Sequence, residues 1–292
     1  MLYFAHIEVG SEDMTKLQYN MKSDTLFKLL FSKYQKLLKR LVSALLGIKY
    51  KDITQFIVVN PEISPEELGK KFCRLDINME VNHQKLDLEL QITDEGNYPE
   101  RSLFYWAREY STGINEGENY TLLPRTIVIS ILGFNQFSDL RKFYHEFQCL
   151  EITTHEPLTD KMVLQFYELK KLSPISDTDN IKDLWLKFFN AETEEELKKI
   201  EEMGVSFMAE AITAYRHVAT SPEFIEMERV RSKVRHDEAQ AIYNAEQRGA
   251  GNEREHWQGV VAEKDSALAE KDSALAEKDI LIAKLQKQLQ KK

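Results

Sequence analysis

The feature that most constrains this chain is the run KLDLELQI at 85–92, in which charged or amide residues alternate with aliphatic ones without a break. A period of two belongs to a β-strand, so Leu86, Leu88 and Leu90 share one face and Asp87, Glu89 and Gln91 the other. RLDINMEV at 74–81 obeys the same rule, setting Leu75, Ile77, Met79 and Val81 against Asp76, Asn78 and Glu80. A two-residue turn at Asn82-His83, or one at His83-Gln84, joins the two runs as an antiparallel hairpin. The first turn puts Asp76 opposite Glu89 and the second puts it opposite Gln91. Both keep the aliphatic residues on a common face.

Carboxylates held side by side raise each other's pKa unless a cation lies between them. A hard divalent ion with oxygen ligands relieves the repulsion, and Mg2+ is the usual candidate. Such an ion polarises a phosphodiester and acidifies water, which points to hydrolysis of a nucleic-acid backbone. The same alternation also suits the wet face of a two-layer sheet.

The surrounding pattern is that of an α/β core with a mixed sheet. After Ser23, leucines 26, 29, 30, 37, 38, 41, 45 and 46 recur at helical spacing up to Gly47. They predict one long amphipathic helix or two in sequence, with the lysines facing outward. ITQFIVVN at 53–60 reads as a further strand, a helix is expected from about Pro99 to Asn115, and RTIVISILGF from Arg125 reads as a strand buried on both faces. Strands are also expected near 145–152 and 162–169, then helices near 181–190, 193–220 and 222–248. From 262 the chain repeats AEKDSAL, AEKDSAL, AEKDILI, AKLQKQL. That heptad aligns Leu268, Leu275, Ile282 and Leu289 and suggests a self-associating coiled coil, with its second core position weak.

The formal charge of -9 argues at first against a nucleic-acid partner. Between Lys16 and Lys51, however, nine Lys or Arg stand against a single acid, Asp24, which makes a basic band. No stretch approaches the ~20 apolar residues of a membrane span, and the start lacks a signal-like basic flank and apolar run. A cytoplasmic protein is expected, with Cys73 and Cys149 as ordinary buried thiols. No histidine spacing or phosphate-binding loop supports zinc or ATP chemistry.

The ordered motifs SDTLFK at 23–28, LDI at 75–77, LELQ at 88–91, RSLFYW at 101–106 and GENY at 117–120 resemble the PD-(D/E)XK nuclease family transposases, also called recombination-promoting nucleases. The resemblance covers roughly residues 21 to 220. It implies a restriction-endonuclease-like mixed sheet flanked by helices and a DNA endonuclease that uses Mg2+ or Mn2+. Asp76 and Glu89 would be the metal ligands, and Gln91 stands where the wider superfamily has lysine. An amide can orient water or phosphate but cannot take a proton or supply charge. Asp24 and Lys28 match the family's D-x-x-F-K helix and are expected to support the site. Arg101, Tyr105 and Arg108 put two guanidiniums and a phenol on one helix face suited to phosphate.

The expected order is a loosely held leader over 1–20, a nuclease core over 21–180, a helical region over 181–250 and the heptad-repeat tail over 251–292. Double-stranded DNA is the expected substrate and the tail a route to a homodimer. The alternative is a catalytically degenerate DNA-binding or coiled-coil assembly protein.

Overall fold

The computed structural model describes residues 15–59, 77–137 and 141–289. Asp76 and Cys73, and with them the first three residues of the expected strand run at 74–81, lie outside the described residues. The chain divides into two compact units, Met1–Arg231 and Ser232–Lys292.

The leucine-rich run forms two helices, α1 (Asp24–Lys33) and α2 (Gln35–Leu46). The Ser23 hydroxyl caps α1 by accepting from the Leu26 amide at 3.3 Å. The break falls at Tyr34, whose ψ of 63° leaves the helical region. α2 ends at Gly47, whose φ of +68° costs a residue without Cβ little. One lysine departs from the outward expectation: Lys28 is only 2% exposed.

The sheet has six described strands: β1 (Phe56–Val58), β2 (Ile77–Val81), β3 (Gln84–Gln91), β4 (Thr126–Leu132), β5 (Tyr144–Phe147) and β6 (Met162–Glu168). Their spatial order is β1-β2-β3-β4-β6-β5. β3-β4 and β4-β6 pair in parallel and the other neighbours antiparallel. Between β3 and β4 the chain passes through α3 (Tyr98–Ser111), the helix that such a parallel connection requires. All seven residues of β4 are buried, as an uninterrupted apolar strand demands.

The hairpin closes at Asn82-His83, which decides between the two registers: Val81 faces Gln84 and Ile77 faces Leu88. Asn82 and His83 both have positive φ, 47° and 63°, the twist that a two-residue hairpin turn needs. Asn82 is held there by its own amide. Its Oδ1 accepts from the Thr54 and Gln55 amides at 2.9 and 3.2 Å, and its Nδ2 donates to the Asp52 carbonyl at 2.9 Å.

Leu86, Leu88, Leu90, Ile127, Ile129 and Ile131 pack into the larger core with α1, α2 and the helices α4 (Ile181–Asn190), α5 (Glu194–Glu202) and α6 (Ser206–Ala219). The helices from 181 therefore belong to the same core as the sheet, and the expected boundary near 180 is absent. The helix expected over 193–220 is split because Gly204 takes φ +71° between α5 and α6. Residues 15–20, expected in a loose leader, are tied down: Lys16 bridges Thr193, and the Leu17 amide donates to the Glu192 carbonyl at 2.8 Å.

α7 (Pro222–Leu289) starts where Ser221 caps the Phe224 amide at 3.2 Å. From Ser232 it forms the second unit, whose heptad residues Leu268 and Leu275 are 60% and 57% exposed. Among the described residues no helix is long and apolar enough to cross a membrane. Cys149 is a free thiol and only partly buried.

Candidate active site

The polar face of β3 is covered, not wet. A second core of Tyr98, Val128, Leu132, Phe134, Leu164 and Phe166 lies on that side, with Trp106 packed against it from α3. The parallel register sets Asp87 beside Val128, Glu89 beside Ser130 and Gln91 beside Leu132. Asp87 is 1% exposed and the Glu89 side chain 13%, so this face runs from buried toward open along β3.

Two residues of α3 hold Glu89. The Tyr98 hydroxyl lies 3.0 Å from Glu89 Oε2 and 3.0 Å from Ser130 Oγ. A phenol carries one proton, so Tyr98 donates to the carboxylate and accepts from the serine. Burial, and then the charge of Glu89, push the Tyr98 pKa well above its ordinary value, so the phenol keeps that proton. On the other oxygen, Arg101 Nη2 donates to Glu89 Oε1 at 3.0 Å. The guanidinium stacks over the Tyr98 ring at 4.8 Å.

The same Nη2 donates to Gln91 Oε1 at 2.5 Å, and Arg101 Nη1 reaches Glu95 Oε2 at 3.1 Å. The Gln91 amide is oriented by its own Nε2, which donates to the Thr93 carbonyl at 2.7 Å. Arg101 Nε is buried and has no hydrogen-bond partner among the described residues. An unmet buried donor costs about 1–3 kcal/mol.

The oxygens of Glu89 and Gln91 thus converge on one point, and that point holds positive charge. A carboxylate and an amide carbonyl are the hard donors that Mg2+ or Mn2+ takes, so the residues present fit such an ion. Among the described residues no three His, Cys, Asp or Glu side chains gather as a complete ligand set. Asp76, the first acid of the expected pair, immediately precedes Ile77 in sequence.

The remaining expected residues separate into two groups. Tyr105 lies between two guanidiniums, with Arg101 Cζ 5.9 Å and Arg108 Cζ 5.8 Å from its ring, so the expected stripe on α3 exists. Its inner end, Arg101, is turned onto the acids, whereas Arg108 is 42% exposed beside Glu109. Asp24 accepts from the Thr25 amide and pairs with Arg231 of α7 at 2.6 Å, which ties the start of α1 to that helix. Much of the basic band is engaged too: Lys22 with Glu192, Lys33 with Glu223, and Arg40 over the Tyr50 ring.

Sequence reasoning missed Tyr98, Ser130 and Glu95. Ser130 was visible as a hydroxyl inside the apolar run TIVISIL, where a buried polar group needs a partner. Tyr98 and Glu95 carried no such signal.

A six-stranded mixed sheet flanked by helices, with an acid and an amide two residues apart on a strand beside its centre, defines a restriction-endonuclease-like α/β protein. The family model of the PD-(D/E)XK nuclease family transposases matches residues 21–245, and the chain belongs to that family. No curated protein and no solved structure matches the chain.

Proposed function

We propose that the chain is a DNA endonuclease that hydrolyses phosphodiester bonds with Mg2+ or Mn2+ held by Asp76 and Glu89, with Gln91 completing the site. The observation that carries this reading is the convergence of Glu89 Oε1 and Gln91 Oε1 on a single cationic group at the open end of β3. A bound divalent ion would supply Lewis acidity toward the phosphodiester and lower the pKa of the attacking water.

The chain's own residues do the rest. Tyr98, backed by Ser130, fixes one oxygen of Glu89 and leaves the other directed at the ion position. Gln91, fixed by Thr93, presents its carbonyl oxygen to the same position. With glutamine in place of lysine, proton removal from water falls to solvent, to the substrate phosphate or to another side chain. Tyr105 and Arg108 offer phosphate contacts beside the site. The heptad stripe from Leu268 to Leu289 pairs two copies, the arrangement a double-strand cut favours.

The test is nicking of supercoiled plasmid by the full chain in Mg2+ or in EDTA, with Asp76→Ala and Glu89→Ala alongside. Metal-dependent nicking lost in both variants supports the reading. DNA binding without cleavage would turn it to a degenerate binding or assembly protein.

A further inference from the structure

Arg101 poses a question that the endonuclease reading leaves open. If Glu89 and Gln91 present their oxygens to a divalent ion, the guanidinium now touching both cannot stay. We propose that Arg101 is a tethered counter-cation: it neutralises the site in the metal-free protein, is displaced when the ion enters, and moves to substrate phosphate. The proposal rests on the metal-site reading above.

Four observations carry it. Arg101 Nη2 bonds both Glu89 Oε1 and Gln91 Oε1, so one nitrogen occupies the position that both oxygens favour. Its seat is incomplete, because the buried Nε finds no partner among the described residues, and a poorly satisfied guanidinium is easier to move. It lies at the rim: the Arg101 side chain is 21% exposed, and its third partner, Glu95, is 55% exposed. Finally it has somewhere to go, since Tyr105 and the exposed Arg108 continue the same helix face outward.

A compact divalent ion with twice the charge approaches oxygen to about 2.1 Å and outcompetes a guanidinium at longer range. Arg101, released, finds in a phosphate diester the planar fork-to-oxygen geometry that it prefers. Metal and DNA therefore assist one another, and by linkage each raises the other's affinity by the same factor.

The experiment is calorimetric titration of Mn2+ into the metal-free full chain, comparing wild type with Arg101→Ala and Arg101→Lys. Fluorescence anisotropy of a labelled duplex, with and without Ca2+ as a non-cleaving probe, gives the second readout. Arg101→Ala is expected to bind Mn2+ about 10-fold tighter than wild type, since a close charge competitor is gone, with Arg101→Lys between them. Ca2+ is expected to tighten duplex binding by wild type and to lose that effect in Arg101→Ala.

Equal or weaker Mn2+ binding by Arg101→Ala, with wild type still binding, would overturn the displacement and leave the metal site standing. A Ca2+ effect that survives in Arg101→Ala would overturn the transfer to phosphate. Absence of Mn2+ binding in all three proteins would overturn both this proposal and the metal site beneath it.

Discussion

The Tyr98 phenol gives its single proton to Glu89 Oε2, across a chain separation of nine residues that spans the end of β3 and the start of α3. The carboxylate that the hairpin presents is thus oriented by the helix laid over it. Orienting partners of metal-binding carboxylates typically contribute 10–100-fold in metal affinity or activity. Tyr98→Phe keeps the ring under Arg101 and removes only the hydroxyl. We expect nicking to fall by about that factor, with a stability loss of about 1 kcal/mol, measured by plasmid cleavage and thermal unfolding.

Gln91→Lys would restore the residue usual in the wider superfamily, yet it should not raise activity here. The substitution removes the Gln91 oxygen that Arg101 bonds and puts an ammonium beside the guanidinium, with Glu89 left to serve both. Like charges 4 Å apart cost about 4 kcal/mol at the effective dielectric of a protein surface. Plasmid nicking by Gln91→Lys should be no faster than by Gln91→Ala. Activity above wild type would show that the two cations do not compete for one place.

Lys187 and Asp179 form a close ion pair in which both side chains are 6% exposed, at 2.5 Å. Burial works to raise the Asp179 pKa, but the bonds from Lys187 and the Ser176 amide outweigh it and hold the group below its ordinary value. Lys187→Ala leaves a carboxylate without its counter-ion and should cost about 3–5 kcal/mol, read as a lowered denaturation midpoint. In wild type the pair's contribution is present at neutral pH, above the unfolded Asp pKa, and is lost as pH falls through the lowered folded value.

Alkali should act on the tyrosines. Burial, and then the charge of Glu194, push Tyr215 up to about 12, and Tyr98, Tyr144 and Tyr167 are raised as well, each chiefly by burial. The unfolded chain ionises first, so their stabilisation is full below an ordinary tyrosine pKa of about 10 and declines as pH rises past it. Thermal unfolding followed from pH 9 to 12 should show Tm falling through this window. The fall should be shallower in Tyr215→Phe.

Ending the chain at residue 250 removes the repeat and leaves the Asp24–Arg231 pair in place. Light scattering should show loss of self-association, and the thermal unfolding of the first unit should be unchanged. A truncated protein that still dimerises would remove the tail from the assembly.

Strand alternation made the sheet's two faces legible in the sequence, because its period of two follows from the backbone alone. The buried strand β4 and helix α4 were legible for the same local reasons. What covers the polar face was not. Tyr98 meets Ser130 across 32 positions, and nothing local announces such a contact. The outward placement of Lys28 failed because α1 is buried all round: every residue from Thr25 to Phe31 is buried, so this stretch of helix has no wet face to offer a lysine. The division at Gly204 was missed although a glycine inside the expected helix is the residue best suited to the left-handed conformation that ends one.

β3 stands where the sheet changes from antiparallel to parallel pairing. Its hairpin partner is two residues away, whereas its parallel partner β4 is reached only after all of α3. Contacts between near neighbours in sequence close quickly, and crossovers pay a larger loop entropy first. During synthesis the ribosome therefore releases the hairpin well before the helix and strand that complete its surroundings. The surroundings of Glu89, on this ordering, are completed late in the life of the nascent chain, after the hairpin that carries it has taken shape.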